Sequence, residues 1–289
     1  MFLKFFCIPG PSEISIGRVC SMIYHDGMSA PDLLYIAIGF VAALMGTLVG
    51  AGGGFILIPL LLSLFPEKSA LQITAISIAV VFCNSFSGSL VYGLTKKISY
   101  KRSGLLAVAA FPGSLLGVFC IDLISRLWFE RVFGLWLFFL AGILAWKVFF
   151  TKNSIKTELT DRDTHRAFVL MMGASCFVGF ISSLLGIGGG IIFVPAMMLI
   201  LRYPIHRATA NSQFVLACTS FVTFLTHLWA GSYQGQTGLL IYLAVGALGG
   251  GQMGAKVSKY FSPAALVLAF ISLLIFVGLR VIIRTFLLY

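Results

Sequence analysis

The sequence predicts an all-α polytopic membrane protein with two inverted-topology repeats of about five helical segments each. Hydrophobic residues make up 59% of the 289 positions and charged residues only 10%, whereas a soluble domain has about 25% charged residues. One unusual phrase also occurs twice: Gly50–Pro59 (GAGGGFILIP) returns as Gly186–Pro195 (GIGGGIIFVP), 136 positions later. The composition indicates a membrane protein, and the duplicated phrase indicates that the chain contains two repeats.

Composition excludes several other classes of protein. A mean hydropathy of +1.03, with apolar runs near the length of a membrane helix, argues against a soluble globule. The runs do not alternate as the strands of a β-barrel would. The net charge of +11 would suit nucleic acid, but Lys and Arg lie mostly in short loops beside apolar runs, as the positive-inside rule describes. We therefore expect no nucleic-acid partner.

The N-terminus and the cysteines add little chemistry. Residues 1–31 are predicted to form an N-terminal arm, since Pro9, Gly10 and Pro11 interrupt a start that resembles a signal peptide. The six cysteines have no CxxC spacing and predict no disulfide framework. We expect no cofactor and no metal.

Ten apolar segments follow the arm, and two of them are short. They lie at 33–50, 55–65, 70–94, 104–121, 132–150, 167–185, 191–201, 208–230, 237–255 and 264–287. Each short segment comes directly after a glycine phrase, and an 11-residue helix covers about 16 Å, half of a hydrocarbon core of about 30 Å. We predict a broken or re-entrant helix in each half. Proline is tolerated in a first helical turn, so Pro59 and Pro195 predict where each short helix restarts.

A polar linker at 151–166 divides a first transmembrane repeat, 32–150, from a second, 167–289. Three further matches support the duplication: Ala75-Ile76-Ser77 with Ala210-Asn211-Ser212, Cys83-Asn84-Ser85 with Cys218-Thr219-Ser220, and Gly113–Gly117 with Gly250–Gly254. Loop 95–103 carries four basic residues and its counterpart 231–236 carries none. These charges place the first loop and the linker inside, the second loop outside, and the halves in inverted orientations. Both termini are then expected outside, in a multi-pass protein of the bacterial inner (cell) membrane.

The glycine phrases are the main candidate for a functional site. A Walker loop needs Lys-Ser/Thr where Phe55 and Ile191 stand, and the strand–turn–helix of a dinucleotide fold is missing. Close helix packing is an alternative, although it favours glycine every fourth residue rather than three in a row. A helix that restarts in mid-membrane presents free N–H groups and a partial positive charge, which together suit an anion.

The third segment of each half supplies the polar side chains. Ser77 and Asn84 are seven residues apart on one helix face, and Ser212 and Thr219 repeat that spacing. Interhelical hydrogen bonding is the alternative explanation. The predicted substrate-binding residues are Gly52, Gly53, Gly54, Gly188, Gly189, Gly190, Ser77, Asn84, Asn211, Ser212 and Thr219. No Asp or Glu is predicted deep in a span, and this favours an anionic substrate. His227, near the outer end of its helix, either faces the interface or is a proton or substrate group.

These features resemble the sulfite exporter TauE/SafE family, also called the toluene-sulfonate uptake permease group. The resemblance rests on the two glycine phrases, on Ala75-Ile76-Ser77 and Ala210–Leu216, and on the 113–117 and 227–231 stretches. It covers about residues 32–287. It implies transport of small sulfur-containing anions such as sulfite or organosulfonates. The family often has Thr-Ser after the alanine, where this chain has Ile76-Ser77 and Asn211-Ser212.

The function predicted from the sequence is that of a permease, a secondary transporter for a small anion that works by alternating access. The expected partners are that anion and the lipid bilayer, and self-association into a homo-oligomer stays open. An anion channel is the first alternative, because glycine-interrupted half-helices also line channels. A membrane-embedded enzyme is a weaker alternative, since the chain offers no nucleophile or metal cluster for it. We expect no enzymatic activity.

Overall fold

The computed structural model describes residues 30–150 and 161–288, which are folded almost entirely into helices. The helices are α1 (Ala30–Val49), α2 (Gly54–Leu64), α3 (Ala70–Leu94), α4 (Tyr100–Cys120), α5 (Arg126–Phe150), α6 (Asp161–Leu185), α7 (Gly190–Leu199), α8 (Ile205–Trp229), α9 (Thr237–Val257) and α10 (Pro263–Leu288). Short 3₁₀ turns follow α4 and α9. The first half of the described chain thus holds α1–α5 and the second α6–α10, in the same order of long and short helices.

Length and composition make this a multi-pass membrane protein. In the described ranges, eight helices are long and apolar enough to cross a membrane. The two that are not, α2 and α7, have 11 and 10 residues. Large apolar side chains on the long helices are exposed, as expected for surfaces that face lipid; examples are Val108, Phe139 and Phe276.

Several helices begin before the apolar segments that predicted them. Helix α4 starts at Tyr100 and α5 at Arg126, because the charged residues at their ends continue the helical hydrogen bonding although they lower the hydropathy. Helix α6 starts at Asp161, inside the predicted linker 151–166. Residues 1–29 of the predicted arm and 151–160 of the linker lie outside the described residues.

The prediction that each short helix restarts at its proline is wrong. Helices α2 and α7 begin at the last glycine of each phrase, and Pro59 and Pro195 lie inside them. The residues before these starts, Gly53 and Gly189, have φ of 73° and 81°. Glycine adopts this left-handed conformation without steric cost, so the chain can turn into the helix before it reaches the proline.

Small residues allow two pairs of helices to pack very closely. On α9, a Cβ added to Gly246, Gly250 or Gly254 would overlap the backbone of α1. On α4, a Cβ added to Gly113 or Gly117 would overlap the backbone of α6. These glycines recur every fourth residue, the spacing of close membrane-helix contacts. Close packing through glycine, the alternative considered for the glycine phrases, is thus seen at these helix pairs too.

The helix pairing is reciprocal between the two halves. Helix α1 packs on α9 and α6 packs on α4, while α3 packs on α9 and α8 on α4. The equivalent helices α3 and α8 pack on each other, and so do α5 and α10. Because α3 and α8 are the most buried of the long helices, they form the centre of the molecule, where the glycine phrases lie.

One arginine anchors the end of the first short helix. The guanidinium of Arg126, at the start of α5, pairs with Glu130 at 3.1 Å. It also donates hydrogen bonds to backbone carbonyls at and after the end of α2, those of Leu62, Phe65, Pro66 and Lys68. Carbonyls at the end of a helix have no intrahelical partner, so this cation replaces the water that would otherwise satisfy them. Glu130, in the second turn of α5, is 4% exposed and is therefore a buried carboxylate.

Replacing Arg126 with alanine should destabilise the protein by about 2–3 kcal/mol, because it leaves several backbone carbonyls without their donor and removes the ion pair with the buried Glu130. Thermal unfolding in detergent should show a melting temperature lower by about 5 °C or more. Arg131→Ala is the matched control. Arg131 is exposed on the same helix, and its guanidinium lies over the ring of Trp128. Equal melting temperatures for the two variants would contradict this role for Arg126.

Candidate functional site

The two glycine loops, Gly50–Gly53 and Gly186–Gly189, fold in the same way. In the first loop the N–H of Ala51 donates to the carbonyl of Gly46 at 2.7 Å, and in the second the N–H of Ile187 donates to that of Ser182 at 3.1 Å. Each loop has three glycines with φ between 66° and 82°. The repeated phrase thus encodes a repeated backbone structure, in which a long helix ends and a short one begins within four residues.

The loops lie directly against each other. A Cβ on Gly54 would lie 2.9 Å from the carbonyl oxygen of Gly186, and a Cβ on Gly190 would lie 2.5 Å from that of Gly50. Neither position has space for a side chain, because backbone atoms of the opposite loop stand in the way, joined at Gly54 by the side chain of Val81. We call this contact the glycine crossing.

Two serine hydroxyls tie the crossing to the central helices. Ser77 on α3 donates to the carbonyl of Gly186 at 2.7 Å, and Ser212 on α8 donates to the carbonyl of Gly50 at 3.0 Å. Each serine therefore binds the loop of the other half. Both were predicted site residues, and the structure brings them to the glycine loops.

The glycine crossing lies near the middle of the central helices. A Cβ on either Gly52 or Gly188 would contact the side chains of both Val81 and Leu216. Val81 is the twelfth of 25 residues in α3, and Leu216 is the twelfth of 25 in α8. The two loops therefore approach each other about halfway along the two central helices.

Both short helices begin at the crossing without a side-chain cap. Neither Gly53 nor Gly189 has a side chain to accept a hydrogen bond, and no other capping bond is made at these positions. The first turn of a helix has N–H groups with no intrahelical partner and carries part of the helix dipole. Two partial positive charges thus lie close together, and both are backbone groups suited to an anion.

A narrow crevice opens beside the second glycine loop. It is lined by Ile78, Ser182, Ser183, Gly188, Thr219, Ser220 and Thr223. The hydroxyls of Ser183 and Thr223 are 3.3 Å apart across it. In this conformation it is too narrow to admit a water molecule. Of the predicted residues, the structure places Thr219 and Gly188 in this crevice.

Asn84, the repeat equivalent of Thr219, lies in a different environment. Its Oδ1 accepts a hydrogen bond from Thr47 Oγ1 at 2.6 Å, and the hydroxyl of Tyr92 donates to the carbonyl of Thr47 at 3.2 Å. Its Nδ2 has no hydrogen-bond partner among the described residues. Asn84 therefore has a fixed orientation with a free donor.

The structure does not bring Asn211 to the glycine crossing. Its Oδ1 accepts hydrogen bonds from the backbone N–H of Ser99 at 2.8 Å and from Ser103 Oγ at 2.7 Å, so it ties α8 to the loop between α3 and α4. Neighbouring residues on a helix point about 100° apart. Since Ser212 faces the glycine loop, Asn211 faces away from it.

His227 is fully buried at the far end of α8, with an exposed fraction of 0%, which excludes the alternative that it faces the interface. Its Nδ1 lies 3.3 Å from Ser232 Oγ, and its Nε2 has no partner among the described residues.

The neighbouring Tyr233 donates to the carbonyl of Ala75 at 3.2 Å. Burial, with the nearby Cys83 adding to it, raises the pKa of Tyr233, so this hydroxyl stays protonated and remains a donor.

Two polar residues of the site were missed by the sequence analysis. Thr47 and Ser183 each precede a glycine loop by three positions, and each contacts the polar face of a central helix. Extending the comparison of the two phrases by one helical turn would have found them. In the described ranges no group of three or more His, Cys, Asp or Glu side chains is arranged to hold a metal.

Comparison with known proteins assigns the chain to a family. The family model described as Sulfite exporter TauE/SafE matches residues 35–281, a range that includes both glycine loops and both central helices. The chain belongs to the TauE/SafE family. This confirms the resemblance seen in the sequence.

Relatives of this TauE/SafE chain are named as transporters. "Probable membrane transporter protein YunE" of Bacillus subtilis is 26% identical over 86% of this chain and 97% of its own length. A protein with the same general name from Methanocaldococcus jannaschii is 27% identical over 85% of this chain and 93% of its own length. No solved structure matches the chain. The family and these names indicate a membrane transporter.

A methyl group at the glycine crossing should be far more damaging than one elsewhere. Gly190→Ala places a Cβ within 2.8 Å of three backbone atoms of the opposite loop, so we expect a loss of about 2–3 kcal/mol and a lower melting temperature in detergent. The control is Gly173→Ala in α6, where a Cβ meets nothing within 4 Å. This control should be neutral or gain up to about 1 kcal/mol. A Gly190→Ala protein as stable as the control would show that the loops are not in contact.

Proposed function

We propose that the protein is a secondary transporter that carries a small anion across the membrane by alternating access. The observation that carries this proposal is the glycine crossing, where two uncapped helix starts from the two halves meet midway along α3 and α8. Paired interruptions of membrane helices in two halves of a chain are typical of the binding sites of secondary transporters.

The proposal includes two inverted repeats with re-entrant short helices. Reciprocal helix pairing and the reciprocal bonds of Ser77 and Ser212 support an equivalence of the halves. Loop charge supports the inversion, because the loop after α3 is basic and the loop after α8 is uncharged. The half-length of α2 and α7, together with the position of the crossing, supports helices that enter only part of the bilayer.

The groups around the crossing favour an anion over a cation. Helix α3 has no charged residue, and the polar side chains that bond to the loops are the hydroxyls of Ser77 and Ser212. The buried carboxylate of Glu130 is at the other end of α2 and is paired with Arg126. A cation site would need carboxylate or carbonyl oxygens, whereas helix starts offer N–H groups. The family description further supports a sulfur-containing anion such as sulfite or an organosulfonate.

We place the anion at the crossing, between the starts of α2 and α7 and the polar faces of α3 and α8. Gly52–Gly54 and Gly188–Gly190 would contribute N–H groups, and Ser77, Ser212, Thr219 and Asn84 would contribute side chains. The crevice beside Gly188 is closed here, so the halves must rock apart to admit the anion. His227, buried beyond Thr223 on α8, is the proposed proton or substrate group.

The decisive experiment is counterflow in proteoliposomes of the purified full-length chain. Vesicles loaded with unlabelled sulfite or methanesulfonate should transiently accumulate the labelled anion, and initial uptake should saturate. Labelled sodium ion should not be accumulated under the same conditions. Uptake that rises linearly with concentration and carries current without counterflow would indicate the channel alternative. No uptake of any sulfur-containing anion would contradict the substrate class.

Removing one hydroxyl from the crevice should weaken transport without unfolding the protein. Thr223→Val should raise KM by about tenfold, equivalent to about 1.4 kcal/mol, because Thr223 Oγ1 can no longer bond to Ser183 or to the anion. Thr226→Val is the matched control, since Thr226 makes the same kind of bond to the carbonyl four residues earlier but lies outside the crevice. Equal KM values for the two variants would rule out the crevice as part of the pathway.

A further inference from the structure

A glutamine in the centre of the molecule has no hydrogen-bond partner. Gln213 on α8 has an exposed fraction of 0%, and neither its Nε2 nor its Oε1 is bonded to any described residue. A buried polar group without a partner destabilises a folded protein, and native structures contain few of them. The buried amide of Gln213 therefore has both a donor and an acceptor available to a ligand or a water molecule.

The antiparallel packing of α3 on α8 shows where Gln213 lies. Ser85 faces Ser220, with their hydroxyl oxygens 3.5 Å apart. Further towards the end of α3, Tyr92 packs in one apolar cluster with Ala210 and Phe214. Gln213 adjoins Phe214 and lies seven residues before Ser220, on the same face of α8, so it faces the stretch of α3 between Ser85 and Tyr92. This stretch begins one residue after Asn84, whose Nδ2 is also unpartnered.

The repeat gives the same location independently. Gln213 is equivalent to Ile78, and Asn84 is equivalent to Thr219. Ile78 and Thr219 line the crevice together. Their equivalents should therefore line the corresponding place on the opposite side of the glycine crossing, the side of the loop between α3 and α4. There, Thr47 takes the place of Ser183 and holds the oxygen of the Asn84 amide.

We propose that Asn84, together with Gln213, forms an extension of the anion site towards the α3–α4 loop, which we call the amide site and which is selective for small oxyanions. It rests on the proposed function and adds Gln213 and a selectivity to it. Each amide offers N–H donors with no bond to give up. The crevice hydroxyls of Thr219 and Thr223 already donate to backbone carbonyls at 3.0 and 2.9 Å, so an anion must displace those bonds.

The amide site favours oxyanions over halides for a geometric reason. An oxyanion has several acceptor oxygens and can bind both amides at once. The free Oε1 of Gln213 accepts a further bond from the hydroxyl group of a protonated oxyanion, and a halide has no such group. Anions that enter from the side of the α3–α4 loop meet the amide site before the glycine crossing.

Gln213→Ile tests this site, because isoleucine is the residue that the other repeat has at this position. The variant should raise KM for sulfite and for methanesulfonate at least tenfold in proteoliposomes and should reduce the ligand-induced rise in melting temperature. The ligand-free variant should melt at a higher temperature than the wild type, since the unpartnered amide is gone. Gln252→Ile, on an exposed face of α9, is the matched control and should leave KM unchanged.

Several outcomes would overturn the amide site. One is a KM within twofold of wild type for Gln213→Ile. Another is a ligand-free melting temperature below that of wild type, which would mean that the amide has a structural partner. If the isoleucine variant is not monodisperse, Gln213→Met, of similar length and without polar hydrogens, takes its place with the same expectations. Wild-type protein without saturable anion flux would instead contradict the proposed function itself, and a higher melting temperature of ligand-free Gln213→Ile would still show that the amide is unpartnered.

Discussion

Direct contact between two glycine backbones is the constraint on which the rest of the structure depends. Gly54 and Gly190 each lie against the opposite loop with no space for a Cβ, so the two helix starts approach more closely than any side chain would allow. The reciprocal bonds of Ser77 and Ser212 hold α3 and α8 on either side of this contact. The long helices then pack around that centre, and their outer faces remain apolar towards lipid.

The halves pair their helices in the same way and have matching glycine loops, but they differ in side chains. Thr219, Ile78 and His227 in or near the crevice correspond to Asn84, Gln213 and Tyr92 on the other side of the crossing. A transporter with two identical halves would offer the same groups to its substrate from both sides of the membrane. The substitution of amides for a hydroxyl and an alkyl group makes the two sides chemically different. Under the proposed function, this difference gives the anion a stronger set of donors on one side.

Much of this architecture could be predicted from the sequence, because it depends on local pattern. The doubled glycine phrase located both short helices, and the apolar runs located the eight long ones. The start of α5 could not be predicted, because Arg126 is charged and its carbonyl partners belong to a distant segment. The assignment of Asn211 to the site failed because the sequence does not reveal which way each side chain of a buried helix points. Gln213 could be counted among polar residues, but its unpartnered state is visible only when its neighbours are known.

The most direct test of the account is a disulfide between Ser85→Cys and Ser220→Cys, in a chain whose six native cysteines are replaced by alanine. These equivalent positions face each other on α3 and α8 with hydroxyl oxygens 3.5 Å apart, close enough for a disulfide after small adjustments. Mild oxidation should link them within one chain and stop anion flux, and a reductant should restore it, because the linked halves cannot rock apart. A folded double mutant that forms no link, or a linked protein that transports at the unlinked rate, would contradict the account.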